Sequence, residues 1–205
     1  MTKEKIASIL LGIKAVTISP SMPFTWASGI KAPIYCDNRL LLSHPRQWKG
    51  VIDALEAVLK GLEFDVIAGV ATGGISHAAV LAARLKKPMV YVRSKQKEHG
   101  KQNLIEGSLK PGQKVIVVED LISTGGSSIG AAEALRREDA IVTDCTAIFT
   151  YELKASKDAF EKARIRLHTL TGFSALLEVA EGQGLITKEE KQSCLAWSRN
   201  PEAWK

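Results

Sequence analysis

The sequence predicts an α/β protein with a central, mostly parallel sheet and helices on both of its faces. Short apolar runs at residues 66–70, 89–92, 115–118 and 141–149 have the length of buried strands. Stretches with helical spacing separate them, and this alternation is typical of a parallel sheet that is covered on both sides. The length of 205 residues suits a single domain.

The N-terminal segment does not follow this alternation. Four isoleucine and leucine residues recur at helical spacing in the first ~15 residues, which predicts an amphipathic helix. Residues 19–38 are rich in proline, glycine and aromatic residues, a composition typical of loops and short strands. We therefore predict a small hood, mainly residues 1–40, over a core of about residues 43–172.

The predicted helices follow from their apolar stripes and end signals. Ser43 is a favourable N-cap for a helix whose stripe includes Val51, Leu55 and Leu59. Further helices are predicted over residues 75–85, 127–137 and 173–180. A last helix is predicted to begin at Thr187, which forms a capping box with Glu190, and the C-terminal helices are expected to contribute to the hood. Since no long linker interrupts the chain, we expect residues 1–205 to form one domain.

Composition excludes several classes of protein. The net charge of +6 comes from scattered lysine and arginine residues without a basic arm, so we expect no nucleic-acid partner. No apolar run approaches the ~20 residues that span a bilayer, and the N-terminus lacks a cleavage-site pattern, so we expect no membrane partner. Three widely spaced cysteines favour reduced thiols and a cytoplasmic protein.

Residues 115–128 (VIVVEDLISTGGSS) carry the strongest functional signal. Glu119 and Asp120 follow a buried strand at its carboxyl end, where open α/β sheets bind ligands. The small residues 123–128 precede a helix, so main-chain N–H groups and the helix dipole favour a phosphate there. A phosphate on the loop and hydroxyls on the acids together describe a phosphorylated ribose. The motifs of P-loop and dinucleotide-binding proteins are absent from the sequence.

This strand, acidic pair and TGG loop resemble the fingerprint of the type I phosphoribosyltransferases, which implies their fold. The motif alone leaves the acceptor base open. Residues 24–38 (FTWASGIKAPIYCDN) are similar to the hood segment of the members that act on orotate, and residues 93–107 (RSKQKEHGKQNLIEG) are similar to their mobile catalytic loop. Residues 69–75 (GVATGGI) fit a loop beside pyrophosphate, but this pattern is common in strand-to-helix turns.

The resemblance implies transfer of a phosphoribosyl group from phosphoribosyl diphosphate (PRPP) to orotate, a step of pyrimidine biosynthesis. It implies catalytic roles for Arg93, Lys97 and His99, and orotate contacts for Ser123, Phe24 and Tyr35. The residues implied to bind PRPP are Arg93, Lys97, His99, Glu119, Asp120, Leu121, Ile122, Ser123, Thr124, Gly125, Gly126 and Ser127. It further implies a Mg²⁺ ion carried by PRPP, with Glu119 and Asp120 acting on the ribose hydroxyls either directly or through water bound to that ion. It also implies a homodimer in which the mobile loop acts in the neighbouring subunit.

The chain departs from the family pattern where many relatives carry cations. Ala27, Gly73 and Ser94 replace lysines, and Thr150 and Tyr151 stand where an arginine is common. Lys31, Lys95 and Lys101 are candidates to replace part of the lost charge. Two alternatives remain at this point: a phosphoribosyltransferase for a purine or uracil, and a nucleic-acid-binding regulator built on the same fold.

Overall fold

A six-stranded sheet forms the centre of the computed structural model, which describes residues 1–26, 29–93 and 104–204. Its strands are β5 (Val66–Val70), β6 (Met89–Val92), β7 (Ile105–Glu106), β8 (Lys114–Ile122), β9 (Ile141–Thr150) and β10 (Arg166–Gly172). Their order across the sheet is β10-β9-β8-β5-β6-β7. All neighbours are parallel except β6 and β7, which confirms the predicted mostly parallel sheet.

Helices cover both faces of this sheet, as predicted. One face carries α1 (Lys3–Gly12), α2 (Pro45–Leu59), α3 (Gly73–Leu85), α6 (Phe173–Gly182) and α7 (Lys188–Arg199). The other carries α4 (Gly126–Arg137) and α5 (Lys154–Lys162). Side chains alternate along β8, so that Ile116 packs into the first core and Val117 into the second. This two-sided burial explains why the central strands are continuously apolar.

Ser43 does not cap α2, contrary to the sequence prediction. It ends a short 3₁₀ helix, Asn38–Ser43, and α2 begins at Pro45 with His44 in the N-cap position. Among the residues that the structure describes, no side chain caps this end of the helix. Proline is favoured at the first helical position because its fixed φ suits the helix and its missing N–H would be unpaired there.

Sequence reasoning also missed α5 and β10 and set the end of β8 too early. The helix α5 (KASKDAFEK) is largely polar and buries only Ser156 and Phe160, so it lacks a strong apolar stripe. The strand β10 is an edge strand with a partly exposed first half, so it lacks a continuous apolar run. The strand β8 extends to Ile122. Glu119 and Asp120 therefore lie within the strand, near its carboxyl end, and not in the loop after it.

Two small antiparallel pairs form the predicted hood strands. The strands β1 (Val16–Ile18) and β4 (Ile34–Cys36) pair with each other, as do β2 (Phe24–Thr25) and β3 (Lys31–Ala32). Trp197 of α7 is fully buried, and its Nε1 donates a hydrogen bond to the main-chain oxygen of Lys31 at 3.0 Å. The hood is therefore tied to the last helix of the chain.

An aromatic cluster reinforces this connection. The ring of Trp26, just after β2, lies 4.9 Å from the ring of Tyr151 and 5.5 Å from that of Trp197. The helix α7 begins with the predicted capping box, in which Thr187 and Glu190 exchange side-chain and main-chain hydrogen bonds. Within the described ranges, no helix is long and apolar enough to cross a membrane. The three cysteines are buried and form no disulfide bond, as predicted.

Candidate active site

Glu119 is a buried carboxyl group near the carboxyl end of β8. Its side chain is 5% exposed, and its Oε2 accepts hydrogen bonds from the hydroxyls of Ser127 at 3.2 Å and Ser128 at 3.4 Å. The main-chain N–H of Asp120 donates to its other oxygen at 3.1 Å. Burial and the adjacent Asp120 raise the pKa of Glu119 well above its usual range. The Glu119 carboxyl group therefore favours its neutral form until a binding partner stabilises the charged form.

Asp120 lies beside the first turn of α3. A Cβ atom added at Gly73 would come within 2.4 Å of its carboxylate, so glycine leaves this carboxylate its space. The main-chain oxygen of Asp120 accepts a hydrogen bond from Nδ2 of Asn38 at 2.7 Å. Position 73, where many relatives carry a lysine, is therefore occupied by a glycine that lets the Asp120 carboxylate pack against α3.

The loop after β8 leads directly into α4. Gly125 occupies the N-cap position with φ +86°, a conformation that favours glycine, and a Cβ atom there would approach the Phe160 ring to 2.8 Å. Thr124, Gly126 and Ser127 are exposed, and Ser123 is half-buried. The N–H groups of the first helical turn have no partner within the helix itself, and they lie next to these exposed residues, an arrangement that suits an anion. The side chain of Ile122 is buried, so this residue can contact a ligand only through its main chain. The side chain of Leu121 is half-buried and packs on the core.

Phe24 and Tyr35, the two predicted orotate contacts of the hood, lie together. Their ring centroids are 5.7 Å apart with the planes tilted by 36°, and Tyr35 is 48% exposed. Such a pair offers an accessible aromatic surface for a planar ring. Tyr151 belongs to the interior instead, where it packs on Phe149 and Trp26.

Arg93 follows β6 at the same edge of the sheet. Its Nη1 lies 3.7 Å from Oε1 of Glu106, an ion pair too long for a hydrogen bond. A cavity of about 300 Å³ lies beside it, lined also by Val70, Ser127 and Arg137. The other predicted cations of this loop, Lys95, Lys97, His99 and Lys101, lie outside the described residues, as do Ala27 and Ser94. Lys31 is described, and it is exposed in β3.

Sequence reasoning missed three residues that interact with Glu119 or Asp120 through hydrogen bonds or charge. Ser128 hydrogen-bonds to Glu119, Asn38 supports the main chain of Asp120, and His77 of α3 lies close enough for the Asp120 charge to affect its pKa. Asn38 and Asp120 are 82 positions apart, so no local pattern connects them. The one available signal was that Asn38 is the last residue of the hood segment 24–38.

The donor set can be compared with the needs of Mg²⁺. Among the residues that the structure describes, no group of three or more His, Cys, Asp and Glu side chains could hold a metal by itself. Two carboxyl groups side by side at an anion-binding loop do fit an ion that arrives with phosphate ligands, since Mg²⁺ prefers one or two carboxylates plus substrate oxygens and water.

Comparison with known proteins gives a consistent result. A family model described as "Phosphoribosyl transferase domain" matches residues 40–165. The orotate phosphoribosyltransferase of Coxiella burnetii is 50% identical over 202 residues, which cover 98% of this chain and 97% of that protein. The orotate phosphoribosyltransferase of Bacillus mycoides is 51% identical over 206 residues, covering 98% of each chain.

Among solved structures, orotate phosphoribosyltransferase from Aeropyrum pernix superimposes with a TM-score of 0.75 and 29% identity. The match covers 89% of this chain and 99% of that one. The predicted type I phosphoribosyltransferase fold is thereby confirmed.

Proposed function

The chain belongs to the orotate phosphoribosyltransferases, and on that premise we propose that it transfers a phosphoribosyl group from PRPP to orotate. The products are orotidine 5'-monophosphate and pyrophosphate. The observation that carries the proposal is that the acidic pair and the N-terminus of α4 both lie at the carboxyl end of β8. One end of that arrangement suits ribose hydroxyls, and the other suits a phosphate.

The described geometry and the family resemblance together support the following roles. Glu119 and Asp120 bind the ribose hydroxyls, which donate further hydrogen bonds to the buried Glu119 carboxyl group and its neighbour Asp120. Residues 123–127 bind the 5-phosphate through main-chain N–H groups and hydroxyls. The aromatic pair Phe24 and Tyr35, whose ring centroids lie 5.7 Å apart, contacts the orotate ring. Ser123 is assigned to orotate on the family resemblance. Leu121 and Ile122 contribute main-chain contacts.

Bond breaking creates two charges that the site must stabilise. Positive charge develops on the ribose ring, next to the Glu119 and Asp120 carboxylates, and negative charge develops on pyrophosphate. We assign Arg93, Lys97 and His99 to the pyrophosphate, because cations aimed at a developing anion lower the barrier. Orotate is already an anion at neutral pH, so no strong general base is required.

Mg²⁺ bound with PRPP supplies additional charge neutralisation at the leaving group. Glu119 and Asp120 are the residues proposed to contact its water shell. Lys31, Lys95 and Lys101 are proposed to replace part of the charge missing at Ala27, Gly73 and Ser94.

Three broader proposals accompany the reaction. Residues 1–205 act as one domain, because the core that contains Ile6 of α1 also contains Trp197 of α7. The protein works as a homodimer whose residues 93–107 act in the neighbouring site, a proposal that comes from the family resemblance. It works in the cytoplasm, in keeping with its three unpaired cysteines.

A direct assay tests the reaction. Purified protein is incubated with Mg²⁺, PRPP and orotate, and the loss of orotate absorbance is followed. Parallel reactions contain adenine, hypoxanthine or uracil in place of orotate. We expect turnover with orotate only. Turnover with another base and none with orotate would reject the proposed substrate, and binding of PRPP without any turnover would favour a regulator.

A further inference from the structure

His77 is a buried histidine that the proposed mechanism does not use. It lies in α3 with 0% of its surface exposed, and Nε1 of Trp48 in α2 donates a hydrogen bond to its Nδ1 at 2.9 Å. Burial lowers the pKa of His77 to about 4, with Asp120 opposing the shift, so the ring is neutral at pH 7. Because Nδ1 accepts a hydrogen bond, the single ring proton must reside on Nε2.

This Nε2–H group is a donor without an acceptor in the described part of the chain. It is buried, and none of the described residues accepts a hydrogen bond from it. A buried donor that stays unpaired costs about 1–3 kcal/mol, so such groups are normally paired with a side chain, a main-chain oxygen or an internal water.

The position of His77 on α3 directs attention to Asp120. Gly73, whose position is in contact with the Asp120 carboxylate, precedes His77 by four residues, and residues four apart share one face of a helix. On another side of Asp120, Asn38 uses its Nδ2 for the main-chain oxygen, while its Oδ1 is buried and has no partner within the described ranges. A donor and an acceptor that lack partners thus both neighbour the same aspartate.

We propose that His77 is a positioning residue that holds the Asp120 carboxylate through one internal water. The water accepts a hydrogen bond from Nε2–H of His77 and donates to the Asp120 carboxylate and to Oδ1 of Asn38. Three polar partners are typical of a buried water, and all three atoms gain a hydrogen bond. Trp48 fixes the tautomer, so the chain Trp48–His77–water–Asp120 sets the direction in which Asp120 meets the ribose. The inference rests on the proposed function in taking Asp120 as a ribose ligand.

Two variants separate the two ends of the imidazole. In His77→Asn the amide takes the place of Nδ1 and keeps an acceptor for Trp48, but no group replaces Nε2–H. In His77→Gln the longer side chain places an N–H donor near the position of Nε2. We expect His77→Asn to bind PRPP with Mg²⁺ about tenfold more weakly by calorimetry, the effect of one hydrogen bond to a charged group. His77→Gln should stay within about threefold of the wild type, and the Michaelis constant for orotate should not change in either variant.

A merely structural role would give a different pattern. Equal PRPP affinities for the two folded variants would overturn the inference, and so would a loss of affinity that follows thermal stability instead of the Nε2–H donor. If a variant does not fold, a long-range ¹H–¹⁵N spectrum of the wild-type protein decides. A proton on Nε2 whose shift changes with PRPP supports the inference, and a proton on Nδ1 rejects it. Wild-type protein that binds PRPP but does not consume orotate would disprove the proposed reaction while leaving this binding test intact.

Discussion

Gly74 is a position where α3 packs closely against β8, the strand that carries the acidic pair. A Cβ atom added at this position would lie 2.3 Å from the main-chain oxygen of Val118 and 3.2 Å from Cα of Glu119. An unstrained carbon–oxygen contact is about 1 Å longer than the first of these distances. Because the obstacle is main chain, Gly74→Ala can be accommodated only if α3 and β8 move apart by roughly that amount.

The expected effects of Gly74→Ala follow from this displacement. Overpacking of this kind destabilises by about 1–3 kcal/mol, and each kcal/mol lowers the melting temperature by about 2–4 °C at this chain length. A shift of about 1 Å at Glu119 lowers kcat/KM for PRPP by about 10²-fold. Thermal unfolding and the orotate assay measure the two quantities.

Gly182→Ala is the matched control, since it also changes a helical glycine but meets no atom within 4 Å. It should leave the activity unchanged and hold or raise the melting temperature, because alanine is the better helix former. A Gly74→Ala protein with wild-type melting temperature and wild-type kcat/KM would refute the close approach of α3 to β8.

Three further predictions concern the leaving group, the acidic pair and the hood. Lys97→Ala should lower kcat about 10²- to 10³-fold with little change in orotate binding, whereas the exposed control Lys110→Ala should not; an unchanged kcat would reject a role for Lys97 in the transition state. Glu119 has a raised pKa in the folded protein, so its contribution to stability is complete below the unfolded pKa and is lost as pH rises through the folded pKa. Without ligands, the free energy of unfolding of the wild type should therefore fall relative to that of Glu119→Gln between pH 5 and pH 9, and a constant difference in urea titrations would contradict the raised pKa. Trp197→Phe removes the donor to Lys31 and should lower the free energy of unfolding by about 1–3 kcal/mol, again by urea titration; a smaller loss would mean that the Lys31 oxygen finds another partner.

The sequence predicted the parallel sheet and its helices because strands that are buried on both faces consist of continuous apolar runs, which are easy to recognise. The same logic failed at β10, an edge strand with a partly exposed first half, and at α5, which buries too few side chains to show a stripe. It also failed at Ser43, where a favourable capping residue was outweighed by Pro45 and the preceding 3₁₀ helix.

The candidate site divides in the same way. Glu119, Asp120 and the loop before α4 are consecutive in sequence, so their chemistry could be recognised from the local pattern. Asn38 and His77 come close to Asp120 only through tertiary packing, so local sequence patterns could not predict their interaction with it. The role of Gly73 is a third example, since its contact with the Asp120 carboxylate depends on how α3 meets β8.

The hydrogen bond between Trp197 and Lys31 also has a consequence for the order in which the molecule assembles. It joins residues 166 positions apart, and contacts of such separation form only after most of the chain has been synthesised. The residues proposed to bind the ribose phosphate, from Glu119 to Ser127, leave the ribosome well before α7 does. A growing chain therefore acquires the residues proposed to hold the sugar first, and the hood that carries the proposed base contacts is completed when α7 docks on it.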